Sequence, residues 1–256
     1  MSMDLLGETF DIHTGAVDLI FPHHENEIAQ SEGATGKPFV KYWLHGEHLN
    51  IDAQKMSKSL GNIYTAREVE EMGYSPLALR YALLSVPYRT KLNFTNQSLD
   101  DAKNALARIE SFLLRLQDVI ASGPKDAAHA DEEGDALIGR FLGELQEAMD
   151  DDLNTAGALG ALFTFIRDAN TAIDAGRISP GDANGIRAAL LKIDPVLDIF
   201  PRHDEGLDAD IEALIAARNA ARKSRNFAES DRLRDELISR GILLEDTPAG
   251  TRWRRK

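Results

Sequence analysis

Apolar and polar positions change rhythm along this chain of 256 residues, and the changes divide it. Near the start the apolar runs are short. Phe10-Asp11-Ile12-His13 and Val17-Asp18-Leu19-Ile20-Phe21 read as two strands, with Thr14-Gly15-Ala16 as the turn between them. Pro22 stops the second strand and suits the first turn of a helix, which would run from about His23 to Gly33. Phe39 to Leu44 is a third, aromatic strand. Together these elements make only part of an α/β domain, because a parallel sheet needs helices over both faces and too few are present.

From about residue 66 the spacing becomes helical. Ala66 to Met72 gives a short helix, and Pro76 opens another with Leu77, Leu79, Tyr81, Leu83 and Leu84 as its apolar set. Leu99 to Ile120 repeats apolar residues at three- and four-residue intervals (Leu106, Ile109, Leu113, Leu116, Ile120). Ser122-Gly123-Pro124 breaks that pattern, and an acidic, alanine-rich linker follows. Ala136 to Met149, Thr155 to Ala175 and Pro180 to Leu191 continue it, with Asn154 or Thr155 as the N-cap of the middle helix. Long helices on short connections predict an antiparallel bundle. A last unit begins near Leu207: two helices, Ile211 to Arg225 and Ala228 to Arg240, stopped by Gly241. Ile242-Leu243-Leu244 and Thr251-Arg252-Trp253 then flank a Thr247-to-Gly250 turn as a hairpin.

Composition removes several function classes. No run of about 18 apolar residues exists, so no membrane span is predicted. The N-terminal MSMDLLGETFD lacks the basic-then-apolar order of a secretory signal. The absence of cysteine excludes disulfides and thiolate metal sites within this chain, and a cytoplasmic location is expected. A net charge of -13 argues against a wholly basic nucleic-acid binder. The charge is uneven, however. Asp126 to Asp135 and Met149 to Asp152 are acidic, whereas Arg218, Arg222, Lys223, Arg225, Arg252, Arg254, Arg255 and Lys256 crowd the terminal unit. Two basic clusters in one short segment point to a local RNA or phosphate contact.

Two stretches carry candidate chemistry. FPHHENEIAQSE (residues 21–32) places adjacent histidines and several acids where a helix begins. His23 and Glu27, at i and i+4, share one helical face, as metal chelation requires; Glu25 lies off that face, and His24 meets Glu27 only at i, i+3. A capping or surface role for His23 is the alternative. The second stretch, Lys55-Met56-Ser57-Lys58-Ser59 followed by Leu60-Gly61-Asn62, is a polar loop able to lay two ammonium groups on phosphates. It also reads as an ordinary exposed lysine-rich loop.

FDIH, DLIFPHHENEIAQSE, YWLH, KMSKSLGN, MDDDLNT and GILLEDTPAGTRWRRK stand here in the order in which they occur in cysteinyl-tRNA synthetases, and the chain resembles that family over essentially its whole length. The resemblance implies an α/β remnant of a Rossmann-like catalytic domain, then an α-helical bundle, then a small helix–helix–hairpin module that grips the anticodon. The expected division is 1–48 for the catalytic remnant, 49–94 for the KMSKS loop and linking helices, 95–203 for the tRNA-binding bundle and 204–256 for the anticodon module.

The resemblance implies further roles. Lys58, supported by Lys55, would contact the phosphates of ATP, which enters with Mg2+. His23 and Glu27 would be two of four zinc ligands, the zinc binding the thiol of the substrate cysteine. His13, Trp43 and His45 would line the cysteine pocket, or serve as buried structural groups. Arg222, Asp231 and Asp246 would read the anticodon of tRNA(Cys), and Trp253 would either stack on a base or pack under its hairpin. The family's other two zinc ligands are cysteines, which with its HIGH motif would lie upstream of Met1. A truncated cysteine–tRNA ligase, inactive by itself and monomeric, is therefore expected. Alternatives are a non-catalytic paralogue that binds tRNA or a partner, and a metal hydrolase built on His23, His24 and Glu27. Thr14-Gly15-Ala16 departs from the family's glycine run, and its larger side chains could crowd a bound substrate.

Overall fold

The structure is a computed structural model describing residues 2–123, 130–201, 205–224, 226–247 and 250–255; for residues 58, 130–132, 205–209, 243, 245–247, 250 and 252–255 it describes the backbone alone. The acidic linker at 124–129 and Arg225 lie outside the described residues. The chain forms two compact units, Met1–Pro201 and Arg202–Lys256.

The first unit opens with α1 (Ser2–Leu6), β1 (Phe10–Ala16), α2 (Glu25–Thr35) and β2 (Val40–Gly46). β1 and β2 pair in parallel, in a register that sets His13 beside Trp43 and Gly15 beside His45. This corrects the expected turn at Thr14-Gly15-Ala16, which is strand because β2 supplies pairing partners as far as Gly46. Val17–Phe21 is correspondingly no strand. A 3-10 turn (Val17–Leu19) and a wide, π-helical turn (Ile20–His24) fill that interval, with extended Phe21 joined to Pro22 by a cis peptide bond.

A three-stranded sheet follows, ordered β4-β3-β5, from β3 (Leu49–Ile51), β4 (Gln54–Lys55) and β5 (Leu92–Phe94). Between β4 and β5 lie a 3-10 turn at Lys58–Leu60, α3 (Ala66–Glu71) and α4 (Pro76–Leu84). Thr65 and Glu68 form a reciprocal capping box on α3, and Ser75 caps α4 ahead of Pro76.

The bundle comprises α5 (Asn96–Ala121), α6 (Ala130–Asp150), α7 (Thr155–Asp174) and α8 (Pro180–Leu197). Asn154 caps α7 as expected. α8 runs past Leu191 and through Pro195, because Ile193, Leu197, Ile199 and Phe200 bury the extra turns. The core is continuous from Ile51 to Phe200 and contains Leu99, Ile109, Leu116, Leu162, Ile186 and Leu190, all without solvent exposure. Burial of each such side chain contributes roughly 1.5–3 kcal/mol. The β1–β2 layer is different: Phe39 is its buried apolar residue among those described, while Leu5, Leu6, Ile12, Phe21 and Tyr42 are exposed.

The second unit consists of α9 (Glu205–Lys223), α10 (Phe227–Ser239) and the antiparallel hairpin of β6 (Ile242–Thr247) and β7 (Gly250–Arg255). Gly241, at φ +75°, ends α10 in the left-handed conformation. Ile211, Ile215, Leu237 and Ile242 form its core. Among the described residues no helix is long and apolar enough to cross a membrane.

Candidate functional site: an imidazole–carboxylate cluster and the lysine loop

Alternation along β1 puts His13 and Gly15 on one face and sends Thr14 and Ala16 to the other. The His13 face meets the π-helical turn, which turns His24 inward to 3% exposure while His23 stays largely exposed. A Cβ at Gly15 would overlap the His24 imidazole, lying 2.8 Å from Nε2. Glycine is therefore present where the His24 ring needs room, and Thr14 and Ala16 lie on the other face of β1. Trp43 of β2 stacks on His13 at 4.6 Å between ring centroids and lies parallel to His45 at 6.0 Å.

His13, His24 and Glu27 each offer a ligand atom within 4.8 Å of the others. Nδ1 of His13 lies 3.3 Å from the carbonyl of Thr14, and a carbonyl only accepts, so this nitrogen carries the proton. The Nε2 lone pair then faces Glu27 Oε2 at 3.0 Å. That carboxylate oxygen is buried and, despite the short separation, has no hydrogen bond. Two lone pairs so close call for a proton or a cation between them. His24 Nδ1 and His45 Nε2 share a hydrogen bond of 2.8 Å, leaving His24 Nε2 for a ligand. This is the outer bond that commonly orients a metal-binding histidine. His23 Nε2 lies 3.6 Å from Glu27 Oε1, so the sequence-predicted pair is adjacent, but the inward-facing donors are His13 and His24.

Burial, and then the neighbouring imidazoles of His13 and His45, push the His24 pKa below the ordinary histidine value. A depressed histidine binds its proton more readily in the unfolded chain. Stability is therefore full above about pH 6.5 and falls as pH drops below it toward the folded-state value. An NMR titration is expected to show the His24 ring titrating below the ordinary histidine value of about 6.5; titration at or above that value would contradict this.

The lysine loop is held more tightly than its composition suggested. Asn62 Oδ1 accepts from Ser57 N at 2.8 Å, and its amide donates to the Lys55 carbonyl at 3.2 Å. Ser57 and Ser59 hydroxyls lie 2.7 Å apart, and Gly61 turns the chain at φ +64°. Asn62 was missed as a loop clasp; its place four residues beyond Lys58 was the available signal. Lys55 is exposed at the end of β4, whereas the side chain of Lys58 lies outside the described residues.

In the second unit, Arg222 in the last turn of α9 and Asp231 on α10 are exposed; the side chains of Asp246 and Trp253 lie outside the described residues. Arg218, counted above with the basic cluster, is instead buried at 5% exposure. It donates to Asn219 Oδ1 at 3.2 Å and Thr251 Oγ1 at 3.4 Å, tying α9 to β7.

Comparison with known proteins fits this arrangement. Residues 1–104 match the class I (C) tRNA synthetase catalytic domain, 144–200 the DALR domain and 204–254 the cysteinyl-tRNA ligase anticodon binding domain. A methionyl-tRNA synthetase of Mycobacterium tuberculosis, solved in complex with methionyl-adenylate, superposes with a TM-score of 0.62 at 22% identity, over 74% of this chain and 42% of its own. A LeuRS of Agrobacterium radiobacter K84, solved as a ternary complex with tRNA and LeuAMS, gives 0.59 at 18% identity, over 74% and 26%. The fold is that of a class I aminoacyl-tRNA synthetase. Among curated relatives, the cysteine–tRNA ligases of Solibacter usitatus and Symbiobacterium thermophilum are 47% and 46% identical over 100% of this chain and 54% of their own length. The chain belongs to the cysteine–tRNA ligase family and spans about half the length of the curated relatives it matches.

Proposed function

We propose that this chain supplies the lysine-loop and tRNA-binding share of a cysteine–tRNA ligase, which joins cysteine to tRNA(Cys) at the expense of ATP. The observation that carries the reading is the clasped KMSKS loop and the imidazole–carboxylate cluster in a chain that aligns throughout with such ligases. Lys58 and Lys55 are assigned to the ATP phosphates, where fixed cations stabilise charge developing in the transition state. Mg2+ accompanies the nucleotide.

Two imidazoles and a carboxylate with an orphaned oxygen suit zinc. Glu27 would hold it with His24 and His13, or with His23 as the resemblance implies. Zinc there would favour sulfur over oxygen and lower the pKa of a bound thiol, which is how cysteine would be told from serine. His45 orients His24 through its hydrogen bond, and Trp43 covers the cluster from the β2 side. In the second unit, Arg222, Asp231 and Asp246 are assigned to the anticodon bases.

The chain has no cysteine to add the family's thiolate ligands, and the apolar face of α1, β1 and β2 is open. Catalysis accordingly needs a polypeptide segment that covers this face and completes the site. Purified chain is expected to bind tRNA(Cys) with steep salt dependence yet charge it only when the remaining half of a family member is added. The Arg222→Ala variant should weaken binding about fivefold or more and lower the salt slope by about one. Charging by the chain alone would refute the division of labour; binding without charging in the presence of the other half would favour a non-catalytic tRNA-binding paralogue.

A further inference from the structure

The turn between α6 and α7 contains two consecutive non-glycine residues in the left-handed region, Asp152 at φ +52° and Leu153 at φ +57°. Such backbone is unfavourable for residues that carry a side chain and persists where surroundings hold it. Backbone bonds of the turn contribute: Leu153 N to the Met149 carbonyl at 3.2 Å, and Asn154 N to the Ala148 carbonyl at 3.0 Å. The twist aims the Asp152 carboxylate away from the bundle, at the segment that follows α4. Tyr88 donates its hydroxyl to Asp152 Oδ1 at 2.8 Å, and Arg89 bonds the same carboxylate from both Nε and Nη2. The Arg89 guanidinium lies 5.2 Å from the centre of the Tyr88 ring, so the two side chains are mutually braced. Next to this contact, Thr155 of α7 donates to the Leu84 carbonyl at the end of α4, at 2.7 Å.

The other side of the same segment reaches the candidate site. The Tyr88 carbonyl accepts from Glu47 N at 2.7 Å, immediately after β2. Two residues earlier stands His45, whose Nε2 holds His24 at 2.8 Å. Tyr88 thus joins a bundle turn, through its hydroxyl, to the active-site strand, through its carbonyl.

We propose that Asp152 is a positioning residue that, through Tyr88 and Arg89, fixes the end of β2 and with it the placement of His45 against His24. This goes beyond the reading of the chain as a ligase half, and its test needs neither tRNA nor activity. Arg89 first, and Tyr88 second, hold the Asp152 carboxyl below the usual aspartate range, as charge-assisted bonds do. Asp152 is exposed enough that its bonds contribute little to global stability, so positioning and stability are separable.

The experiment compares NMR spectra of the full chain in the Asp152→Asn and Tyr88→Phe variants. Asparagine tolerates the left-handed turn and retains the size of the side chain, but it loses the charge that binds Arg89. Both variants are expected to melt with the parent, to move the His45 and His24 ring resonances, and to speed hydrogen exchange at the Glu47 amide about tenfold. The control is Asp174→Asn, which removes an Arg115 ion pair between α5 and α7. It should leave those signals in place. Unmoved His45 and Glu47 signals in both test variants would overturn the proposal, as would equal movement in Asp174→Asn. Failure of the chain to bind tRNA would not bear on it.

Discussion

The Gly15→Ala variant is expected to lose the His24–His45 hydrogen bond and, with it, most of the divalent-ion affinity proposed for the His13–His24–Glu27 cluster. The cause is spatial. The added Cβ would lie within contact distance of the His24 ring on the face that β1 turns toward it, and backbone paired along β2 cannot retreat. The imidazole must rotate away, and the bond to His45 at 2.8 Å cannot survive that rotation. Loss of a partner that orients a metal-binding histidine lowers metal affinity about 10–100-fold. Titration with Co2+, followed by its visible absorption, measures this, with His23→Ala alongside. If Gly15→Ala binds as the parent does while His23→Ala does not, His23 and Glu27 hold the ion and His24 is structural. Thermal denaturation is expected to show an additional loss of about 1–3 kcal/mol from overpacking.

The largest effect on stability is expected at Phe141. Its ring is 1% exposed and stacks on Phe165 at 4.4 Å and 12°, and Phe165 in turn meets the edge of Phe112. These rings join α5, α6 and α7. Phe141→Ala removes one end of this stack and leaves a cavity, at a cost of about 3–5 kcal/mol. The lost stacking is part of that figure. For a unit of this size each kcal/mol is worth about 2–4 °C, so the melting temperature should fall by about 6–20 °C. Leu191→Ala is the comparison: Leu191 lies on α8 but is 51% exposed, and its loss should stay near ±0.5 kcal/mol. Calorimetry distinguishes the two, and equal shifts would mean that the core is not organised around the phenylalanine stack.

The helices were legible in the sequence because each carries its own signals. Thr65 with Glu68, Ser75 before Pro76 and Ser179 before Pro180 mark starts by local chemistry, and the three- and four-residue apolar spacing of α5 matches its buried face. The strands were legible where a partner was not needed to define them. β3, β4 and β5 are two or three residues long, too short for any alternation to register, and exist because they pair with one another. The same cause misled the reading of Thr14-Gly15-Ala16, whose turn-like composition is overruled by pairing with Leu44, His45 and Gly46.

The site was half legible for a related reason. Helical-face arithmetic correctly brought His23 beside Glu27, since side chains four apart meet on a regular helix. It set His24 aside, yet His24 turns inward from the same wide turn that carries His23, where regular-helix spacing does not say which side chain faces the interior. His13 joins the cluster from a strand ten residues earlier, which spacing along a helix could not reveal.

Two bonds that cross the first unit limit how such a chain can be recombined. Arg80 of α4 donates to the Leu197 carbonyl at the end of α8, at 2.6 Å, and Thr155 of α7 donates to the Leu84 carbonyl at the C-terminal end of α4. The bundle thus holds the last turn of α4, α4 in return holds the end of α8, and the bundle takes part of its core from the helices after the lysine loop. A chimera that exchanged the bundle and kept a foreign lysine loop would cut through both. The portable block is the whole stretch from the loop's first strand to Phe200, and exchange between relatives would move the lysine loop and the helical bundle as one inherited piece.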